Sequence, residues 1–98
     1  MPYRVVIYPE LRRLMREEWG LPDELLVDVY LRLEELKNNP ARILRRLRRP
    51  VDGMALEFEL PVPGNRFVLY DLVFLVRYGD DEQTLHVVRG GCSRTDTA

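Results

Sequence analysis

Residues 66–79, with the sequence RFVLYDLVFLVRYG, decide the fold. Apolar side chains occupy both alternating faces of this run, which is typical of a strand covered on both sides. One face carries Val68, Tyr70, Leu72, Phe74 and Val76, and the other carries Phe67, Leu69, Val73 and Leu75. The run is longer than a usual strand of about 5–6 residues, so we expect a bend at Asp71. The sequence therefore predicts a long central strand with two apolar faces, both of which must pack against other parts of the structure or a partner.

Shorter strands are predicted on both sides of this run. Residues 56–60 alternate apolar and acidic side chains, as in a half-exposed strand, and the turn sequence PVPGN follows them. The turn GDDEQ precedes the last strand, TLHVVRGG, at residues 84–91. Near the N-terminus, residues 2–8 read as a β-branched and aromatic strand that ends at Pro9.

Two helices are predicted between the first strand and the others. From Glu10 the apolar period changes to about 3.6, and the buried side chains of the first helix are Leu11, Leu14, Met15 and Trp19. A second helix starts at Pro22 and ends within residues 37–40, with a buried stripe of Leu26, Val29, Tyr30, Leu33 and Leu36. Residues 41–48 add one more helical turn or two.

This order of elements predicts an α+β domain: a small antiparallel sheet with a helical hairpin packed on one face, in the order β-α-α-(short α)-β-β-β. We assign residues 1–91 to a single domain and residues 92–98 to a flexible tail. Because helices on one face leave the other apolar face uncovered, we expect a protein partner or a homodimer.

Composition and charge exclude several classes of protein. The chain has 98 residues, 46% hydrophobic and 32% charged, which favours one folded domain over a disordered chain. No apolar run or leader pattern predicts a membrane span or secretion, so a cytoplasmic location is expected. Cys92 is the only cysteine and His86 the only histidine, so neither a disulfide framework nor a metal site is predicted, and no cofactor is expected.

Basic charge is concentrated in the first half of the chain. Residues 1–49 carry 11 basic and 8 acidic groups, whereas residues 50–98 carry 4 and 8. Five arginines lie within residues 42–49. Four of them, Arg45, Arg46, Arg48 and Arg49, are candidate nucleic-acid contacts, and the alternative is the solvated face of an amphipathic helix. Glu57 and Glu59, on the strand that follows, oppose RNA binding locally.

The chain resembles the RelE/ParE superfamily of toxins from type II toxin–antitoxin modules. The resemblance rests on the order and size of the elements, on LEELKNNPARILRRL at residues 33–47, and on LVFLVRYGDDEQTLHVVRGG at residues 72–91. It implies a toxin that cuts messenger RNA on the ribosome or poisons DNA gyrase, and that is silenced by a cognate antitoxin. In the family motif an arginine supplies an active-site cation, and the nearest matches here are Arg66 and Tyr70, one residue too far apart.

Ribonuclease chemistry of this kind needs cations that stabilise the pentavalent phosphate and a group that moves the 2′-hydroxyl proton. The candidate catalytic residues are Arg66, Arg77, Arg89, His86 and Tyr70. Each also has a structural interpretation, since arginines at strand ends lay their stems on the core and Tyr70 fits the core. Asp71 must reach solvent or pair with Arg66, Arg77 or Arg89, because an unpaired buried carboxylate is unfavourable.

Two hypotheses therefore remain. The first is a toxin of this superfamily that acts as a ribosome-dependent mRNA endonuclease or translation inhibitor. The alternative is a non-enzymatic protein of the same fold, which would be a gyrase-directed toxin, an inactive toxin remnant or a protein-interaction module.

Overall fold

The computed structural model describes residues 2–47 and 53–96. The strands are β1 (Arg4–Ile7), β2 (Arg45–Leu47), β3 (Gly53–Val62), β4 (Asn65–Tyr78) and β5 (Thr84–Asp96). The helices are α1 (Pro9–Glu17), α2 (Asp23–Glu34) and the single turn α3 (Pro40–Ile43), with a short 3₁₀ helix (Glu35–Lys37) directly after α2. The α+β class is confirmed.

The five strands form one mixed sheet in the order β1-β5-β4-β3-β2. Neighbours from β2 to β5 are antiparallel, but β1 lies parallel to β5, with Arg4 opposite Thr84. The prediction of an antiparallel sheet is therefore wrong at β1. The reason is that the two helices carry the chain away from β1, and such a crossover permits a parallel return that a tight turn cannot make.

One further helical turn, α3, is confirmed, but the arginine-rich residues 45–47 that follow it are not helical. Helix α3 ends at Ile43, Leu44 is extended (φ −78°, ψ 143°), and Arg45–Leu47 pair with Gly53–Ala55 as β2. This adds a fourth strand after the helices. A local helical preference is weak, and pairing with the edge of β3 overrides it. Arg48 and Arg49 lie outside the described residues.

Two further expectations about the hairpin of β4 and β5 are corrected. Strand β4 passes through Asp71 without interruption, and the irregularity lies instead between Leu75 and Val76, where β5 carries Val88 as an extra residue. Such a bulge absorbs the twist of a long strand pair. Strand β5 also continues to Asp96, so residues 92–96 of the expected tail pair with β4.

The core fills one face of the sheet. Phe74 is fully buried there, with the Trp19 ring 5.7 Å away and the Phe58 ring stacked at 6.0 Å between centroids. Helices α1 and α2 contribute Leu11, Met15, Leu25, Val29 and Leu33 to the same cluster. Leu25 takes the buried position that the sequence assigned to Leu26, which is only partly buried. No helix within residues 2–47 and 53–96 is long and apolar enough to span a bilayer.

The opposite side of the sheet carries no helix within the described residues and is called the open face below. Alternation along the paired strands places on it Val6, Glu57, Glu59, the odd-numbered residues 67–77, His86, Arg89 and Gly91. Val73 is 40% exposed and Val6 41% exposed on this face.

Candidate functional site

Three candidate catalytic residues occupy neighbouring positions in the strand register at one end of the open face. Arg77 of β4 lies directly opposite His86 of β5, and Val6 of β1 lies on the other side of His86 in the same row. Arg89 is opposite Leu75 in the adjacent row, on the same face. The bulge at Val88 preserves this arrangement because it keeps Arg89 on the open face while Val87 stays in the core.

His86 is partly buried within this group. Its ring contacts that of Tyr8 edge to face, with centroids 6.0 Å apart. Its Nε2 atom lies against Gly79, where a Cβ would be only 3.1 Å away. Its Nδ1 atom is buried and has no hydrogen-bond partner among the described residues. Because Gly79 has no side chain, the imidazole of His86 can occupy the space beside it.

Arg77 and Arg89 are exposed, and neither forms an ion pair within the described part of the chain. Guanidinium groups bind phosphate oxygens in a bidentate way, and an imidazole nitrogen can accept or donate a proton in general acid–base catalysis. The group formed by Arg77, His86 and Arg89 thus has the chemical types needed to hold a phosphodiester and to move a proton beside it.

Arg66 and Tyr70 lie elsewhere. Arg66 is at the start of β4, eleven residues from Arg77, which corresponds to about 36 Å along a strand. Its guanidinium carbon lies 5.1 Å from the centre of the Phe67 ring. Tyr70 points into the core side of the sheet, 7% exposed and opposite Arg94. The structure therefore separates these two residues from the other three.

Two of the four proposed nucleic-acid contacts, Arg45 and Arg46, lie on the edge strand β2. Arg45 is exposed and opposite Ala55, and the backbone of Arg46 pairs with Met54. Because β2 borders β3, Arg45 lines the same shallow depression as Glu57 and Glu59. A phosphate backbone that contacted Arg45 would also meet these carboxylates.

That depression has a volume of about 590 Å³, and the sequence did not predict that three carboxylates line it together. Its carboxylates are Glu57, Glu59 and Asp71, and Glu59 lies directly opposite Asp71, an arrangement of like charges that is unfavourable across a strand pair. Asp71 accepts a hydrogen bond from Oγ1 of Thr95 at 3.3 Å and forms no ion pair among the described residues. The expected pairing of Asp71 with an arginine is therefore not made. The alternation of Glu57 and Glu59 was visible in the sequence, but their register with Asp71 was not.

Asp71 also acts on its neighbour in the sheet. Partial burial, and then the nearby Asp71 carboxylate, raise the pKa of the Cys92 thiol above its ordinary value.

The described residues hold no group of three or more His, Cys, Asp or Glu side chains placed to bind a metal ion.

A second polar cluster closes the turn between β4 and β5. Asp81 accepts hydrogen bonds from the backbone N–H groups of Gln83 and Thr84, both at 3.0 Å, and from the Thr84 hydroxyl at 2.8 Å. The Gln83 N–H, followed by the Thr84 hydroxyl, holds the pKa of Asp81 below its ordinary value. Arg4 of β1 donates to the Thr84 hydroxyl, so this cluster fixes the turn against the first strand.

No protein-family model matches the sequence, and no curated protein matches it.

Proposed function

We propose that this chain is a RelE/ParE-like toxin of a toxin–antitoxin module, which inhibits translation by acting on messenger RNA through Arg77, His86 and Arg89. The single observation that carries the proposal is the row in which Arg77 lies opposite His86 with Arg89 in the next row of the same exposed face. The α+β order, in which two helices precede an antiparallel run of strands, supports the family assignment.

In this proposal each of the three residues has a separate role. Arg77 and Arg89 bind the non-bridging phosphate oxygens and stabilise the charge that grows as the 2′-oxygen attacks phosphorus. Nε2 of His86 accepts the proton of the attacking 2′-hydroxyl. The bond from phosphorus to the 5′-oxygen breaks, and water protonates that leaving oxygen. The hydroxide that this produces takes the proton from Nε2 of His86 and restores the neutral imidazole. The products are a 2′,3′-cyclic phosphate and a free 5′-hydroxyl.

The test is induction of the chain in a bacterial host, with incorporation of radiolabelled amino acids as the measurement. We expect prompt arrest with the wild-type chain and relief with a variant that combines Arg77→Ala, His86→Ala and Arg89→Ala. The matched control is Arg66→Ala, which removes the same type of side chain about 36 Å away along β4. Arrest should persist in this control.

The outcomes separate the roles clearly. Arrest that Arg66→Ala relieves as fully as the triple variant would contradict the assignment to the Arg77 end of β4. Normal growth with wild-type chain that is soluble and folded would contradict translation inhibition altogether.

A second candidate function is a non-enzymatic protein of the same fold that works by binding another protein. The observation that favours it is the composition of the open face, where Glu57, Glu59 and Asp71 lie beside the exposed side chain of Val73. Carboxylates repel an RNA backbone, whereas a mixture of charge and exposed apolar surface is common in protein interfaces. Under this alternative, Val73→Asp would abolish partner binding and the triple alanine variant would not.

A further inference from the structure

We infer that the open face binds a second copy of this chain, in a symmetric dimer whose twofold axis lies parallel to the sheet, perpendicular to β4 and level with Phe74. The inference goes beyond the proposed function and does not rest on it. It starts from the open-face residues of β4, which read Asp71, Val73, Leu75 and Arg77. This series is acidic at one end, apolar in the middle and basic at the other.

A second copy laid face to face with its β4 antiparallel is complementary to this series. Such a rotation places Asp71 over the partner's Arg77 and Val73 over the partner's Leu75, and symmetry repeats both contacts. Asp71 and Arg77 each lie three residues from the midpoint, or about 10 Å, and packed sheets are about 10 Å apart. An arginine side chain is long enough to bridge that gap to an aspartate.

The same rotation also gives compatible contacts between β5 and the partner's β5. Gly91 is opposite Val73 and Arg89 is opposite Leu75. The rotation that pairs Val73 with Leu75 therefore brings the partner's Arg89 over Gly91, where no side chain obstructs it. Asp71, at the edge of the acidic depression, lies under the partner's Arg77, while Glu57 and Glu59 of β3 face the partner's β3.

The charges of the open face explain why a second copy fits better than another ligand. Among the described residues, none of Glu57, Glu59, Asp71, Arg77 and Arg89 forms an ion pair. A basic peptide would neutralise the three carboxylates but would face two uncompensated arginines. A polyanion would bind the arginines and meet the carboxylates. Only a surface with both signs in reversed order satisfies both ends, and the chain itself has that surface.

The test is the mass of the purified chain, measured by sedimentation or light scattering over a wide range of protein concentration. We expect a dimer that dissociates as salt is raised, because salt screens charge pairs. Asp71→Arg and Arg77→Asp should each raise the dimer dissociation constant by ~100-fold or more, since each places like charges together twice. Asp71→Arg is compatible with the fold because it faces Glu59 within its own sheet.

Mixing the two single variants gives the decisive result. One variant then carries two arginines and the other carries two aspartates, so every contact in a mixed dimer joins opposite charges. We expect the 1:1 mixture to form a heterodimer although neither variant dimerises alone. The matched controls are Asp28→Arg on α2 and Arg13→Asp on α1, both exposed and away from the open face. Both should leave the dimer unchanged.

Three results would overturn the inference. They are a wild-type chain that stays monomeric at every concentration, a folded Asp71→Arg variant that dimerises as tightly as the wild type, and a mixture of folded variants that stays monomeric. Binding of RNA or of a basic peptide by a chain that stays monomeric at every concentration would identify another occupant. The dimer covers Arg77 and Arg89, so the monomer is the form that acts in the proposed function. The inference is read from molecular mass and the proposed function from translation, so either can fail while the other stands.

Discussion

Replacing Gly90 with alanine should destabilise the chain, because this glycine lies where β5 passes closest to the core. A Cβ at position 90 would lie 2.9 Å from Cδ1 and 3.0 Å from Cε1 of Phe74, and 3.1 Å from Cδ1 of Leu11. Carbon atoms prefer separations of about 3.5–4.0 Å. The Phe74 ring cannot yield freely, since it is fully buried between the rings of Trp19 and Phe58.

The size of the effect follows from these contacts. Inserting a carbon into a packed core costs about 1–3 kcal/mol. Alanine recovers about 0.4–1 kcal/mol of this by restricting the unfolded chain. From the middle of these two ranges we expect a net loss of about 1.3 kcal/mol in the free energy of unfolding, which lowers the melting temperature by about 5–10 °C in a domain of this size.

The adjacent Gly91 provides a matched control, because its Cβ would point to the opposite side of the same strand. There the nearest described atom is Cγ1 of Val73 at 3.5 Å, an ordinary contact. Gly91→Ala should thus stabilise the chain by about 0.4–1 kcal/mol. Denaturant unfolding followed by circular dichroism, repeated at two protein concentrations, measures both variants without interference from association. Equal stability of the two variants would refute the reasoning.

Three further predictions concern the turn and the sheet. Gly79→Ala should shift the imidazole resonances of His86 and reduce any translation arrest while the fold is kept, because its Cβ would lie 3.1 Å from Nε2. A spectrum identical to the wild type would contradict this. The pKa of Asp81 is lowered, chiefly by the Gln83 N–H, so its stabilisation is present above its ordinary pKa of 3.8 and is lost as the pH falls through the lower folded value. Melting temperatures measured from neutral to acid pH should therefore fall less steeply for Asp81→Asn than for the wild type, and parallel curves would argue against the role. Burial raises the pKa of the Cys92 thiol, so iodoacetamide should modify it more slowly in the folded than in the unfolded chain at mildly alkaline pH. Equal rates would exclude a protected thiol.

The sequence predicted the class of the fold and the position of the main elements. The change of period after Pro9 and again after residue 53 separates the helices from the long strands, and both changes appear in the structure. Such strong, sustained patterns survive folding because burial of each apolar face depends on them. Residues 66–79 likewise predicted a central strand, and β4 lies in the middle of the sheet.

What the sequence could not provide was register and pairing. The direction of β1 relative to β5 depends on contacts between residues about 80 positions apart, and nothing local encodes it. Strand β2 depends on an available edge of β3, which overrides the helical period of residues 41–47. The boundary at residue 92 was wrong for a similar reason, because polar residues such as Ser93 and Thr95 pair with β4 despite their composition.

In the candidate site, too, the types of residue were predictable from the sequence, whereas their positions relative to one another were not. Arg77, His86 and Arg89 were recognisable as types of residue that suit phosphate chemistry, but only the register of β4 with β5 brings them together. Arg66 and Tyr70 came from a resemblance to a motif, and the length and alternation of β4 place them at another end and on another face. A one-residue difference in spacing reverses the face of a strand residue.

The parallel pairing of β1 with β5 also constrains the order in which the sheet can form. The helices and the three antiparallel strand pairs connect segments that are close in sequence, so their loops close readily. Joining Arg4 to Thr84 closes a loop of about 80 residues, with a length-dependent entropy of about 4 kcal/mol. During synthesis β1 has no strand to pair with until residues 84–87 emerge from the ribosome. Its apolar side chains therefore stay unpacked until the hairpin of β4 and β5 has formed. Such distant contacts are associated with slow folding. Docking of β1 is therefore expected to be a late step, and changes at Val5 or Ile7 should accelerate unfolding more than they slow folding.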